Sequence, residues 1–401
     1  MATLAAFGTF AVGFLARPLG GLFFGRRGDL AGRKSTLLIT LTVMGLSTIL
    51  IGLLPGAATI GVFAPLLLVL LRLVQGFAVG GEWGGSMIIV LESAPPERRG
   101  FFSAWPNTGD FSAQILITGV FAWVYTLPQD QLLSWGWRVP FLLSAVILVV
   151  TFWMRRTLHE SPVFTDAVAP VRPAVKQRGT IRATFVDDRR NLLLIIGLRF
   201  AEALPYFLLT VFALSYGSTA LGIDKSVLNT AILIASVLAF VAHGVFATIS
   251  DRVGRRPVYF FGAAVVFVMA FPFFGMLQSG SFLLITLGYV LVLNVGHNAI
   301  NAIQPAFFAE LFPADRRYTG AAAGREIASI LAGGLTPFIA TALAGPGGTR
   351  WPLVAGYVMV GALITMVSVW KAPETFRRDL RATSATPVVE KADARGNLRR
   401  T

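Results

Sequence analysis

The 401-residue chain contains no cysteine and only three histidines, and 13% of its residues are charged. Without cysteine there is no disulfide framework, no thiolate metal site and no cysteine nucleophile. Charge is scarce: a soluble domain carries about 25% Asp, Glu, Lys and Arg. Acidic residues are the scarcer sign, 20 against 34 Lys and Arg, for a formal net charge of +14. The His-Glu-x-x-His and Gly-x-Ser-x-Gly patterns of hydrolases are missing too, so a membrane-embedded enzyme is disfavoured and no metal or other cofactor is called for. The opening apolar run lacks the basic flank and small-residue cleavage site of a secretion signal.

What the chain has instead is apolar length. Hydrophobic residues make up 55% of it and the mean hydropathy is +0.70. Apolar runs of roughly 18–25 residues recur, enough to cross a ~30 Å hydrocarbon core as helix. Backbone groups in lipid must be satisfied within the segment, so these runs are helices; barrel strands would alternate over ~10 residues. The pattern predicts an all-α, polytopic membrane protein with eleven spans, at 2–24, 37–54, 62–91, 101–126, 137–154, 191–216, 227–249, 257–277, 281–308, 324–344 and 351–370. The connections at 25–36, 92–100, 155–190, 250–256 and 309–323, with the tail 371–401, hold 27 of the 34 basic residues. The opposite set (55–61, 127–136, 217–226, 278–280 and 345–350) holds 2. By the positive-inside rule the first set is cytoplasmic, which puts the C-terminus inside and Met1 on the outer side of the cell membrane. Topology therefore accounts for the basic surplus, and no nucleic-acid partner is needed.

Two motifs recur at nearly constant offset. Gly25-Arg-Arg-Gly-Asp29-Leu-Ala-Gly32-Arg33-Lys34 matches Ser250-Asp251-Arg252-Val-Gly254-Arg255-Arg256, with Asp29 and Asp251 separated by 222. Glu92 through Arg98-Arg99 matches Glu310 through Arg316-Arg317, with the glutamates separated by 218. Repeats on this scale build membrane transporters as two bundles with a site between them. The chain divides into a bundle over 1–154, a polar cytoplasmic connection over 155–190, a second bundle over 191–370 and a disordered cytoplasmic tail over 371–401, basic enough to attract anionic lipid headgroups. Five spans precede the join and six follow. The basic loop follows the first span of one bundle and the second span of the other, which places an unmatched helix before Met1.

On the duplicated loop the chain resembles the major facilitator superfamily. Ala16-Arg17-Pro18-Leu19-Gly20-Gly21, the run Arg72-Leu-Val-Gln75-Gly76 through Gly80-Gly81-Glu82-Trp83-Gly84-Gly85, Trp137-Arg138-Val-Pro140-Phe141 and Glu160-Ser161-Pro162-Val-Phe164 narrow the likeness to its metabolite:proton symporter family. That family includes carriers of α-ketoglutarate, citrate, shikimate, and proline or betaine. The resemblance covers about 2–375 and implies two pseudo-symmetric bundles working as a monomer. The family's usual first helix, with its acidic and aromatic cluster, has no counterpart here, and residue 30 is Leu where the family loop has Arg. Two readings stand for Gly25, Asp29, Gly32, Arg33, Lys34, Glu92, Arg98 and their second copies Asp251, Arg252, Gly254, Arg255, Glu310 and Arg316. They form a cytoplasmic latch, with Arg33, Glu92 and Arg98 at its centre, or they are positive-inside charge with turn glycines.

Ionisable groups at membrane depth cost at least ~2.5–3.5 kcal/mol on insertion scales and are functional candidates by default. Arg72 and Gln75 share a helix face with Gly76. Glu82 lies among four glycines and Asp110 and His243 in otherwise apolar spans, each a proton site or a structural hydrogen-bonding group. Arg199 and Glu202 are an i,i+3 pair, read as an ion pair or, at Glu202, a proton site. Asn294, His297, Asn298 and Asn301 form one polar stripe, lining a cavity or bridging helices, with Pro305 interrupting the backbone hydrogen bonding nearby. Arg17 snorkels toward the basic loop or contacts an anion. Arg325 and Glu326, opening their span, read as solvated caps.

The expected function is proton-coupled symport of a small polar metabolite by alternating access. Arginines at depth favour an organic acid, while the family resemblance also admits a betaine- or proline-type osmolyte. The competing class is a transport-defective family member or membrane sensor.

Overall fold

The computed structural model describes residues 2–170, 180–384, 391–392 and 398–399. Its long helices are α1 (Ala2–Ala31), α2 (Arg33–Leu53), α3 (Phe63–Ser93), α4 (Gly109–Val124), α5 (Gly136–Thr157), α6 (Arg189–Thr219), α7 (Lys225–Val253), α8 (Arg255–Gln278), α9 (Phe282–Glu310), α10 (Arg317–Ala344) and α11 (Trp351–Lys371). Among the described residues, nine are long and apolar enough to cross a membrane, namely α2, α3 and α5 to α11. The expected span 101–126 is instead assembled from pieces: the turns Arg99–Ala104 and Trp105–Thr108 precede the 16 residues of α4. Pro106 has no N–H to donate, and the helix tightens there.

α1 packs on α3, and α2 on α3 and α5. The α1–α3 contact is backbone against backbone. A Cβ at Gly80 would lie 2.0 Å from Arg17 O, one at Gly76 2.0 Å from Gly13 O, and one at Gly20 1.8 Å from Phe77 O. Small residues are what membrane helices need for such approach. The halves meet along two seams, α1 and α3 against α10, and α4 with the turn Arg99–Ala104 against α7. The main apolar core belongs to the second half, around Leu198, Leu208, Ile232, Tyr259, Phe274 and Tyr289. In the first half none of the apolar stretch of α5 is buried, against 39% in its repeat counterpart α11.

The tail departs from the disorder expected from residue 371. Residues 371–384 fold back on the basic-loop face, with Thr375 and Leu380 buried. Ala314 N donates to Ala382 O at 2.9 Å, and Ser384 N and Oγ donate to Asp315 at 2.7 and 2.5 Å. Composition missed this because the contacts are made by backbone and capping groups rather than by an apolar period. A two-residue antiparallel pair joins Lys391–Ala392 to Leu398–Arg399; the rest of the expected tail, and 171–179 of the connection, lie outside the described residues.

Candidate functional site

Two glycines organise the basic-loop face. Gly32 (φ +107°) separates α1 from α2, and Gly254 (φ +106°) separates α7 from α8; both adopt a backbone that side chains resist. Each also leaves room for a carboxylate: a Cβ would stand 2.3 Å from Glu160 Oε2 at Gly32 and 2.6 Å from Glu374 Oε2 at Gly254. Glu160 Oε1 accepts from Arg33 N (2.9 Å) and Lys34 N (3.3 Å), while Glu374 accepts from Arg255 N (2.8 Å) and Arg256 N (3.0 Å). Carboxylates here satisfy the orphan donors and positive ends of α2 and α8. Neither composition nor hydropathy points to this role for Glu160 or Glu374. The signal was available, since Glu160-Ser161 and Glu374-Thr375 form a third repeated pair, offset by 214.

The first residues of α2 and α8, Arg33 and Arg255, are fully buried. Arg33 lies 3.4 Å from Asp29 and 3.5 Å from Glu92; Arg255 lies 2.7 Å from Asp251 and 3.1 Å from Glu310. Ser161 donates to Glu92, as Thr375 does to Glu310 at 2.6 Å. The aspartates then reach across the two halves. Asp29 accepts from Tyr318 N (3.2 Å), Thr319 N (2.9 Å) and Thr319 Oγ1 (2.7 Å), and Asp251 accepts from Gly100 N (2.9 Å) and Phe101 N (2.8 Å). Arg317 pairs with Glu92 of the first half at 2.7 Å, and Arg33 donates to Ala314 O of the second at 2.8 Å. Gly25 permits this closure, as a Cβ there would meet Thr319 Cα at 2.7 Å. Burial pushes the Asp29 carboxyl up to about 6 against the opposing pull of Arg33 and its hydrogen-bond donors.

Three expected latch residues sit elsewhere. Arg98 is exposed and its side chain has no hydrogen bond or ion pair among the described residues; the neighbouring Arg99 is the buried one. Arg316 turns to Asp187 (3.0 Å) and Asp188 (3.3 Å), leaving Arg317 to meet Glu92. In both Arg-Arg pairs the second arginine opens a helix and faces inward. Arg252 is exposed and unpaired among the described residues, and Lys34 Nζ donates to Arg156 O at 2.9 Å. Symmetry also breaks at Arg99, which donates to Arg378 O of the folded tail at 2.8 Å rather than pairing with Glu310.

Deeper in the molecule, hydrogen bonds link the two halves. Trp83 Nε1 donates to Asn107 Oδ1 at 2.9 Å, and Asn107 Nδ2 donates to Asn301 O (2.8 Å) and Oδ1 (2.7 Å). The Asn301 carbonyl is free for this because Pro305, four residues on, has no N–H to give it. From Asn301 the chain continues to His297 Nε2 (3.4 Å), and His297 Nδ1 lies 3.0 Å from Glu202 O. Glu202 is paired with Arg199, which donates to Gln304 Oε1 at 2.8 Å. Gln304 Nε2 is 3.5 Å from Tyr259 OH, whose hydroxyl donates to Leu198 O at 3.0 Å. α9 widens into a π-type turn over Leu291–His297, a departure that often accompanies function. Thus Arg199, Glu202, His297 and Asn301 are brought together. Asn294 and Asn298 pair with each other (2.9 Å) beside them, and His243 is buried under the Phe111 ring at 5.4 Å.

Among the described residues the remaining candidates share no hydrogen bond or ion pair with this chain, although the charges of Asp110 and Arg325 act on Arg199 and Glu202. Arg72 donates to Gln75 (3.0 Å) and Gln75 to Thr48 (2.7 Å), all within the first half. Glu82 pairs with Arg155 at 2.7 Å. Asp110 is exposed at the start of α4, with no hydrogen bond or ion pair among the described residues. Arg325 and Glu326 are not solvated caps: α10 starts at Arg317, two turns earlier than expected, and Glu326 is fully buried. Arg325 pairs with Glu326 at 2.5 Å and lies over the Trp83 ring at 4.3 Å. Arg17 stacks on Phe14 at 3.8 Å and has no ion pair among the described residues. The small-residue run Thr319-Gly320-Ala321-Ala322-Ala323 reads as a loop from its hydropathy, although small residues are what lets α10 close on α1.

At the end away from the basic loops a vestibule of about 680 Å³ opens between α4 of one half and α6 and α7 of the other. Gln114, Thr118, Ser215, Lys225, Asn229 and Thr230 supply its polar lining. A cavity of about 10 Å³ lies by Phe111, Gln114, Tyr206, Ser236 and Asn294, room for about one water.

The family profile described as Major Facilitator Superfamily matches residues 2–324 and 195–399. The shikimate transporter of Escherichia coli (strain K12) is 40% identical over 369 residues, covering 92% of this chain and 84% of its own length. The proline/betaine transporter of Salmonella typhimurium (strain LT2) is 36% identical over 400 residues, covering 97% and 79%. Among solved structures, the proton:xylose symporter bound to 6-bromo-6-deoxy-D-glucose superposes with a TM-score of 0.75 at 16% identity, covering 94% of this chain and 88% of that one. At that identity the likeness is one of fold.

Proposed function

The chain belongs to the major facilitator superfamily, and from that premise we propose that it carries a small organic acid across the membrane together with a proton. As a member of that superfamily it is a multi-pass inner-membrane transporter of small metabolites and not an enzyme. The basic-loop face is read as cytoplasmic from its charge, which puts the C-terminus inside and the vestibule outside. One chain holds both halves of the pathway, so a monomer suffices.

The observation that carries the reading is the opposition of the two ends. Buried ion pairs and helix caps tie the halves at the basic-loop face, while the vestibule between them stays open at the other end. This is one of the two states alternating access requires. An organic acid is preferred over a betaine because Arg17 and Arg325 come from facing helices of opposite halves and Arg17 makes no direct ion pair among the described residues, although Glu326 and Asp110 act on it at longer range; guanidinium binds carboxylate bidentately. Shikimate, the substrate named for a relative, is such an acid. Glu202 and His297, linked to the first half through Asn301 and Asn107, are the groups assigned to the proton. The duplicated loop is assigned to gating.

Uptake into membrane vesicles tests this. An inward proton gradient should drive shikimate or a related acid above its equilibrium distribution, and a protonophore should abolish that accumulation. No gradient-dependent uptake of any organic acid or betaine would contradict it. The second reading, a transport-defective member or sensor, is favoured by the unburied α5; it predicts ligand binding without gradient-driven accumulation.

A further inference from the structure

Arg252 belongs to the repeated loop, yet neither the latch nor the interior chain uses it. Its side chain is exposed and unpaired among the described residues. From it a crevice of about 600 Å³ runs along α7, with Gly244, Val245 and Thr248 on one wall and Phe101 and Trp105 of the first half on the other. Thr248 already donates its hydroxyl to Gly244 O at 2.7 Å, so among the lining side chains only the Trp105 indole N–H and Arg252 offer donors to a polar solute. Gly244 forms the floor: a Cβ added there meets nothing nearer than Phe101 Cε2 at 3.9 Å.

Length and charge identify the occupant. Phe240, at the far end of the crevice, and Arg252 are separated by about 18 Å of helix at ~1.5 Å per residue, close to the ~15 Å of hydrocarbon in one leaflet. An apolar slot about one leaflet deep, ending in a lone guanidinium on the basic-loop face, matches an acyl chain below a phosphate. We propose that this crevice binds an anionic phospholipid, with an acyl chain against Phe101, Trp105 and Gly244 and the phosphate on Arg252. The inference rests on the membrane orientation proposed above but not on transport. Its two walls belong to different halves, and Asp251, next to Arg252, accepts from the backbone of Gly100 and Phe101. Lipid in the crevice therefore braces the closed latch.

Native mass spectrometry of the full chain, released from micelles holding equimolar phosphatidylglycerol and phosphatidylcholine, tests the site independently of uptake. The unaltered protein should retain phosphatidylglycerol over phosphatidylcholine by roughly fivefold or more. Arg252→Gln should erase that preference while lipid is still retained. Gly244→Leu, or Val245→Trp should the first variant fail to fold, should reduce retention of both lipids. Equal retention of the two lipids by the unaltered protein would overturn the headgroup assignment. Unchanged retention in a folded crevice-filling variant would overturn the site.

Discussion

At Glu92 two guanidiniums from opposite halves converge, Arg33 at 3.5 Å and Arg317 at 2.7 Å, all three buried. Removing one partner from a buried ion network costs about 3–5 kcal/mol because the remaining charge stays desolvated. Arg317→Ala should therefore destabilise the closed basic-loop face by that order, read as a lower melting temperature and faster hydrogen exchange at Gly100 and Thr319. Arg98→Ala, on the exposed neighbour, should change stability by less than about 0.5 kcal/mol in the same assays. Asp29 adds a pH dependence. Its carboxyl titrates near 6 when buried in the closed latch and near ~4 when returned to water. The closed state then binds the proton more tightly. Its advantage from Asp29 grows as pH falls through about 6, is complete below ~4, and is absent above about 7. Exchange protection of Thr319 N, which donates to Asp29, should rise between pH 7 and 5, and Asp29→Asn should flatten that rise. In the interior, Glu202→Gln should abolish proton-driven accumulation while leaving substrate exchange across the membrane, a split that simple misfolding would not produce. Residue identities in the latch were legible from the repeat, but their register was not. Arg98 and Arg99 are indistinguishable by charge, and only the helix starting at Arg99 decides which side chain points inward.

Elements were legible where apolar length fixed them and obscure where small residues did. Spans such as α7, α8 and α11 follow from hydropathy within a few residues. The start of α10 was missed by two turns because glycine and alanine promote close packing without adding apolar length. Arg325 and Glu326 were misread as caps for that reason. Pro305 was recognised as a break, but its consequence, a carbonyl at Asn301 freed to accept from Asn107, required the position of the other half. The α1–α3 contact gives the sharpest element-scale prediction. A side chain at Gly80 would meet the Arg17 carbonyl at 2.0 Å, and backbone cannot yield as a flexible side chain does. Gly80→Leu should separate the two helices at a cost of at least ~1–3 kcal/mol, seen as reduced folded yield. Gly244→Ala, which meets only Phe101 Cε2 at 3.9 Å, should be tolerated in the same test.

For the whole molecule, the repeat predicts the pseudo-symmetry of the latch, and the structure adds how the symmetry is broken. Glu92 takes an arginine from the opposite half, whereas the corresponding place beside Arg99 is taken by the folded tail. Closure at one end and an open vestibule at the other make a rocking motion about the Asn107–Asn301 link the central claim. The absence of cysteine allows this to be measured on single introduced pairs without removing native thiols. Spin labels on Thr118→Cys with Thr230→Cys report the vestibule, and on Arg98→Cys with Val253→Cys the basic-loop face. On adding a transported acid at low pH, the vestibule distance should shorten while the basic-loop distance lengthens. Distances that stay fixed, or that change in the same sense at both ends, would contradict alternating access in this chain.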